Sequence, residues 1–227
     1  MIHPKTQLKE VSPEIGLGVF ASQDIPCGTI VYVKDPLEII IDEKQFQQLP
    51  QTLKEKADIY SYIESSGSRV LSWDSAKFVN HNCNANTLST GYGFEIAVRD
   101  IAAGEEVTDD YGMFNVPHDM PLYCKCENCR GVLRAHDFLK LVPFWDKKVK
   151  NALSYLNKVE QPLIDLVQKE TMASLMSYIE SGQDYLSVEE LYMRASVNVL
   201  SPAQNSDEPA KAKIIKGNKL KRVASSR

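Results

Sequence analysis

The sequence predicts a mainly β, α+β protein, with short strands up to about Val98 and helices after residue 144. Two observations carry this. Between residues 14 and 41, Leu17, Val19, Ile25, Ile30 to Val33 and Ile39 to Ile41 are β-prone. They are interrupted by Gly16, Gly18, Pro26-Cys27-Gly28 and Asp35-Pro36, the residues that turn a chain. From Phe144 onward, Val149, Ala152, Leu153, Leu156 and Val159 recur instead at helical spacing.

Taken in order, a first helix is expected from Asp42, where Gln45 completes a capping box and Pro50 follows. Thr52-x-x-Glu55 signals a second helix running through Tyr62. Strands resume over 69–73, 87–90 and 94–98. In the helical part, Pro162 restarts a helix that ends near Gly182. Ser187 with Glu190 forms a further capping box, with Leu186 and Leu191 placed for a hydrophobic staple. Such helices cover a sheet face or form a small bundle. After Leu200 the chain becomes polar and lysine-rich, and disorder is expected there. The boundaries that follow are 1–118 for a β-rich domain, 119–140 for a cysteine segment, 141–200 for a helical extension and 201–227 for a basic tail.

At 227 residues, with 43% hydrophobic and 25% charged residues, the chain can bury a core in the ordinary globular way. Its apolar runs are too short to cross a bilayer, and the N-terminus lacks the apolar centre of a secretory signal. An intracellular protein without membrane contact is expected. The net charge of −4 conceals an asymmetry: residues 201–227 hold seven Lys/Arg and two Asp/Glu, a net +5, which leaves −9 on the rest. An acidic body repels nucleic-acid phosphate and suits a cationic partner. Direct nucleic-acid binding is therefore not expected. The run from Lys216 to Arg222 reads as a solvated end, as a nuclear address, or as a histone-like segment offered to an active site, its own included.

Three groups of residues carry chemistry. Cys124-x-Cys126-x-x-Cys129 is too tight for two disulfides, and in a reducing compartment it reads as metal ligation rather than as loose thiols or a redox site. Zinc takes four such ligands at about 2.3 Å from each sulfur. Cys83 is the candidate fourth, whereas Cys27 lies in a strand-linking turn and is left out. Cys83 belongs to the second group, Phe78-Val79-Asn80-His81-Asn82-Cys83-Asn84-Ala85-Asn86, which is followed by Gly104-Glu105-Glu106-Val107-Thr108-Asp109-Asp110-Tyr111. The third is Gly16-Leu17-Gly18, where backbone can approach a ligand closely. Alone that pair would be a plain turn, and it lacks the third glycine of a dinucleotide fingerprint.

Together these motifs, in this order over roughly residues 12 to 131, resemble the SET-domain lysine methyltransferases, and Ala97-Val98-Arg99-Asp100-Ile101-x-x-Gly104 resembles that family's approach to its catalytic tyrosine. The short cysteine spacing is similar to the family's SMYD branch. The resemblance implies small curved sheets with a threaded, pseudoknotted C-terminal segment, one of the exceptions to unthreaded connections. It implies a post-SET zinc loop on Cys83, Cys124, Cys126 and Cys129, S-adenosylmethionine in one cleft, and a peptidyl lysine entering from the opposite face. By the same resemblance Tyr111 is the catalytic residue, orienting the lysine amine. Gly16, Leu17, Gly18, Tyr62, Asn80 and His81 join Tyr111 in holding the cofactor. Asn86 and Glu106 brace the threaded segment, and Tyr32 lines either the channel or the core. Ser89, Thr90, Tyr92 and Phe94 are candidates for setting the number of methyl groups.

The residue types suit that chemistry. Attack of an amine on a sulfonium methyl is an in-line displacement, so holding two reactants at near-attack distance supplies much of the rate. Lysine must first lose a proton, from a free pKa of about 10.4. A desolvated, tyrosine-lined channel disfavours the ammonium. Departures from the family pattern are Ala85 for proline, Lys77 for arginine and the extra charge at Asp109. The expected function is methyl transfer from S-adenosylmethionine to lysine in a basic protein such as a histone tail, in the cytoplasm or nucleus. The alternative is an inactive SET-fold module that binds cofactor or protein.

Overall fold

The computed structural model describes residues 1–124 and 126–194. The basic tail, with its expected disorder, nuclear address and self-methylation, lies outside the described residues. In chain order the elements are β1 (Thr6–Ser12), β2 (Gly16–Ala21), β3 (Ile30–Val33), β4 (Ile39–Ile41), α1 (Glu43–Gln48), α2 (Gln51–Tyr60), β5 (Ser61–Ile63) and β6 (Arg69–Leu71). There follow β7 (Asn80–His81), β8 (Thr87–Ser89), β9 (Phe94–Ala97), β10 (Glu106–Asp109), β11 (Met120–Pro121), β12 (Val132–Leu133), α3 (Phe138–Leu153) and α4 (Lys169–Ser181).

The strands form several small sheets, in the orders β1-β2-β10-β7, β3-β9-β8, β4-β6-β5 and β11-β12. Most pairs are antiparallel. The exception matters for the site: β10 runs parallel to β7, with Thr108 opposite Asn80 and Asp109 opposite His81. Segment 106–111 thus lies between β2 and the Asn-His run, where the resemblance places the threaded segment.

All four residues of β3 are buried because its sheet is covered on both faces. On one face Ile30, Val33, Phe94 and Ile96 pack with Val142, Trp145, Val149 and Leu153 of α3 in one continuous core. On the other, Val31 and Ala97 pack with Val19, Ile25, Ile101 and Val107. A strand buried on both faces reads as an unbroken apolar run, which is why β3 was plain in the sequence. By contrast β1, with Gln7, Leu8, Lys9 and Glu10 all exposed, carries no alternation to read and was not anticipated.

The helices correct several expectations. The box at Asp42 is present, with Gln45 N donating to Asp42 Oδ1 (2.7 Å) and Asp42 N to Gln45 Oε1 (2.9 Å). Thr52, however, lies inside α2, whose cap is Pro50. That helix also stops before Tyr62: Ser61 turns extended, its hydroxyl donating to Ala57 O (2.6 Å), and Tyr62 pairs with Val70 in a sheet. Further on, α3 begins at Phe138 and takes in Pro143, with Phe138 and Val142 buried ahead of the proline. Pro162 leads only into a 3-10 turn, Ile164–Leu166; α4 begins at Lys169 and is closed by Gly182 with φ 71°. Ser187 does cap the short 3-10 turn that follows, its Oγ accepting from Glu189 N (3.1 Å). The turn is completed by Asp146 rather than Glu190, Asp146 accepting from Tyr185 OH (2.8 Å), Ser187 OH (2.7 Å) and Val188 N (2.9 Å).

Among the described residues no helix is long and apolar enough to cross a membrane. The shared core predicts that the helices cannot be removed: a chain cut after Asp137 exposes Val33, Leu88, Phe94 and Ile96. Such a chain should lose its cooperative thermal transition and aggregate, as gel filtration and calorimetry would show.

Candidate active site

The catalytic candidate, Tyr111, follows directly on β10 and Asp110. Asn86 pins β10 from the side: its Nδ2 donates to Glu106 O (2.8 Å) and its Oδ1 accepts from Thr108 N (2.8 Å). Asp110 then caps the 3-10 turn Tyr111–Met113, accepting from Gly112 N at 3.0 Å. Tyr111 is fixed at both ends. Its backbone N donates to His81 Nδ1 (3.2 Å) and its hydroxyl to Val79 O (2.7 Å). Burial pushes the phenol well above the ordinary tyrosine value, with the carboxyls of Asp109, Glu106 and Glu95 adding to the shift, so the hydroxyl stays protonated.

Because His81 Nδ1 accepts from Tyr111, the ring proton belongs on Nε2, which faces Cys83 Sγ at 3.3 Å. Burial holds this imidazole below its ordinary pKa, which keeps it neutral as that bond requires. Beside it lies Asp110, 2% exposed. Its carboxylate accepts from Arg130 Nη2 (2.5 Å), Trp145 Nε1 (2.9 Å) and Gly112 N (3.0 Å). One buried charge therefore ties the tyrosine turn to the cysteine segment and to α3.

The Gly16-Leu17-Gly18 loop lies against the same sheet. At Gly18 a Cβ would meet Glu106 Oε1 and Val11 Cγ2 at 2.6 Å, so only glycine fits. Gly16 has φ +89°, and nothing lies within 4 Å of where its Cβ would be. The loop is thus tight on its inner side and open on its outer side, as a ligand-binding turn must be. Asn80 Nδ2 donates to Leu17 O (3.2 Å) and Glu106 Oε1 (2.8 Å), joining loop, Asn-His run and β10.

The four candidate metal ligands converge: Cys124 Sγ lies 3.5 Å from Cys83 Sγ, 3.5 Å from Cys126 Sγ and 3.3 Å from Cys129 Sγ. All four sulfurs lie within 4.8 Å of one another. A tetrahedron with bonds of about 2.3 Å has edges of roughly 3.8 Å, so the set has the size and softness that zinc takes. Backbone N–H groups of Arg130 and Gly131 point at Cys83 and Cys129 (3.4 Å each), as thiolates require. Cys27 lies apart, its N–H on Asp100.

A cavity of about 560 Å³ opens beside Tyr111. Tyr32, Tyr60, Tyr62, Val79 and Phe114 line it, together with Lys77, Glu95 and Asp109. Gly16, Leu17, Gly18, Asn80 and His81 are not on its wall; they form the adjoining sheet edge. Tyr62 packs on Phe114 (5.3 Å between centroids), while its neighbour in the motif, Tyr60, meets Phe78 (5.6 Å). Tyr32 is core and cavity at once: it is 5% exposed, and its hydroxyl reaches Glu38 Oε1 (2.8 Å) and Ser72 Oγ (3.1 Å). Tyr92 and Phe94 go into the main core. A smaller recess is lined by Ser89, Thr90, Phe94 and Glu95.

Sequence reasoning missed Arg130 and Trp145, whose partner Asp110 is distant along the chain and leaves no local signal. It also passed over Glu95, although a lone charge inside the apolar run Phe94-Glu95-Ile96-Ala97 was there to be read. The Asp110 junction yields a test. Asp110→Ala leaves Arg130 beside a buried void and should cost about 3 kcal/mol of stability in urea denaturation. Asp110→Asn should cost less, since it still accepts from Trp145.

Residues 16–112 match the family model described as "SET domain". A Variant-silencing SET domain-containing protein of Plasmodium falciparum is 29% identical over 132 residues, covering 50% of this chain and 5% of that protein. Histone-lysine N-methyltransferase SUVR5 of Arabidopsis thaliana is 38% identical over 73 residues, covering 26% of this chain and 5% of that protein. The chain thus spans a small part of the length of these relatives. A solved structure of a Plasmodium falciparum protein, provisionally assigned as a histone methyltransferase, aligns at 21% identity with a TM-score of 0.36, covering 48% of this chain and 95% of that one. The matched span holds the glycine loop, the Asn-His run, the Asn86 brace and the tyrosine turn, so residues 16–112 form a SET domain.

Proposed function

We propose that this protein is a protein-lysine N-methyltransferase acting on a basic protein, a histone tail being the leading substrate class. The observation that carries the reading is Tyr111: a neutral hydroxyl on the wall of a tyrosine-lined cavity, anchored at 2.7 Å to Val79 O. With its proton committed to that carbonyl, the oxygen presents lone pairs to the cavity and can accept an N–H from a substrate amine. The amine is thereby turned so that its own lone pair points along the cavity. His81 and Asp110 fix the turn from behind, so little reorganisation is needed.

S-adenosylmethionine, when bound, supplies a methyl group on a positively charged sulfur. The donor set fits it. The open outer side of Gly16–Gly18 and the backbone at Asn80 and His81 would hold it. Lys77 is available for a carboxylate: its Nζ meets Ser72 O (3.5 Å), Trp73 O (3.2 Å) and the Phe78 ring (5.5 Å), with no acidic partner among the described residues. Tyr62 or Tyr60 would cover it; the placement of Tyr60 against Phe78, next to Asn80, favours Tyr60. Cys83, Cys124, Cys126 and Cys129 would hold a structural zinc that staples 124–129 against the Asn-His run. In this reading 1–118 is the catalytic domain, 119–140 the zinc segment and 141–200 a supporting wall. A histone substrate places the protein in the nucleus.

Labelled methyl transfer from S-adenosylmethionine to core histones and to a ribosomal-protein mixture tests the reading. Tyr111→Phe should cut the rate about 100-fold with the melting temperature nearly unchanged. No transfer from intact, zinc-loaded protein would favour the inactive binding module; undiminished transfer by the variant would remove Tyr111 from its role.

Zinc makes a separate prediction. Cys83→Ser should lower zinc content by elemental analysis and weaken binding of S-adenosylhomocysteine in calorimetry, as should chelation of the wild type. Full zinc and full affinity in the variant would show that Cys83 is no ligand.

A further inference from the structure

Two carboxyl groups stand on the inner wall of the cavity with no cationic side chain paired to either among the described residues. Glu95 comes from β9, opposite Tyr32 in the sheet register, and Asp109 from the end of β10. Both line the cavity beside Tyr111. Asp109 is 1% exposed. Its Oδ1 accepts from Asp110 N at 2.6 Å, but its Oδ2 is buried with no donor. The Glu95 carboxyl is close enough to Asp109 for each to shift the other's ionisation.

Two neighbouring carboxyls, Asp109 enclosed and Glu95 half-buried, resist ionising together, so the pair retains a proton. Burial raises Glu95 to about 7 and lifts Asp109 well above the ordinary carboxylate range, the latter helped by Glu95 itself. Of the cations on the same cavity wall, Arg69 is paired with Asp58 (2.9 Å) and Lys77 Nζ is on Ser72 O and Trp73 O, while His118 pairs with neither carboxyl among the described residues. The other titratable groups facing the pair do not replace a cation. Tyr62 and Tyr111 are kept neutral by burial, Tyr32 is engaged with Glu38, Asp110 adds like charge, and the Met1 amine is a minor attraction spent on Asp35 (2.7 Å). A strand and a turn would be more stable with apolar residues at both positions. An orphaned carboxyl oxygen on a residue that lines a cavity, beside a second carboxyl, points instead to a bound proton that a ligand can supply.

We infer that Glu95 and Asp109 form a proton-sharing pair that binds the substrate's side-chain ammonium and takes its proton, beside the Tyr111 hydroxyl that orients the resulting amine. The substrate in this inference rests on the lysine methyltransferase reading; the amine site itself does not. An alkylammonium brings several N–H donors to Glu95 and Tyr111, with Asp109 behind Glu95 sharing the charge, while Tyr62 and Phe114 enclose its methylene stem. In the step, one N–H bond breaks and one O–H bond forms on the singly ionised pair. The bonding electrons stay on nitrogen as its lone pair, and the proton leaves the neutral pair for solvent before the next turnover. Activity therefore requires the ionised pair and rises with pH through about 7. Stability runs the other way: a carboxyl raised by folding stabilises fully below its unfolded value, about 4.3, and that contribution is lost as pH climbs through about 7.

The test uses the full-length chain with ¹³C-labelled carboxyls, titrated by NMR with and without n-butylamine, alongside labelled methyl transfer to lysine peptides over neutral and alkaline pH. The pair should lose its first proton only near neutrality and keep its second above that, and butylamine should lower the first pKa. Glu95→Gln and Asp109→Asn should each slow transfer about 100-fold at neutral pH. Each should regain rate as the pH nears lysine's own value of about 10.4, with unchanged affinity for S-adenosylhomocysteine. Should Glu95→Gln fail to fold, Asp109→Asn, which keeps the bond from Asp110 N, decides alone. Ordinary titration of both carboxyls, indifference to butylamine, or wild-type rates and pH profile in the variants would overturn the inference. A wild type that transfers no methyl group while the pair titrates and answers butylamine as stated would overturn the methyltransferase reading and leave the amine site standing.

Discussion

The Asp110 carboxylate is the constraint on which the rest of this structure hangs. A charge with 2% exposure is tolerable only when its lone pairs are filled, and here three parts of the chain must meet to fill them. Gly112 supplies a backbone N–H from the tyrosine turn, Arg130 a guanidinium from the cysteine segment and Trp145 an indole N–H from α3. None of these contacts is local except the first. The cost of burying the charge is thus converted into a demand that turn, cysteine segment and helix come together. The same demand positions Tyr111, whose two anchors at His81 and Val79 lie just in front.

A second consequence is that the helices after the cysteine segment are not an appendage. One face of the β3-β9-β8 sheet is completed by α3, so the core that supports Glu95 from behind is built by residues far along the chain. Matching a domain over 16–112 alone describes the face that carries Tyr111 and leaves out the wall it leans on.

Much of this was legible in the sequence, and the reasons differ by residue. Ile30 to Val33 announced a doubly covered strand, and Asp42 with Gln45 announced a cap, because each signal lies within a few residues. The convergence of Cys83 with Cys124, Cys126 and Cys129 was readable because soft ligands are rare and their number must reach four. What was hidden depends on distance or on context. Polar β1 shows no alternation, since neither of its faces is well buried. Proline at 143 concealed the true start of α3, although Phe138 and Val142 continue the helix pattern on its other side. Tyr62 was read as helical because nothing in the sequence shows Ser61 bending back to Ala57. The carboxyl pair was visible as two unusual acids, but only folding brings β9 beside the end of β10.

Trp145 also gives the molecule an optical reporter. The chain has two tryptophans, and the other, Trp73, is 43% exposed, while Trp145 is fully enclosed with its indole N–H on Asp110. Indole emission shifts with the field and wetness around the ring. The blue part of this protein's fluorescence therefore comes from a probe seated directly behind the tyrosine turn, and changes at the cavity beside Tyr111 can be followed without attaching a dye.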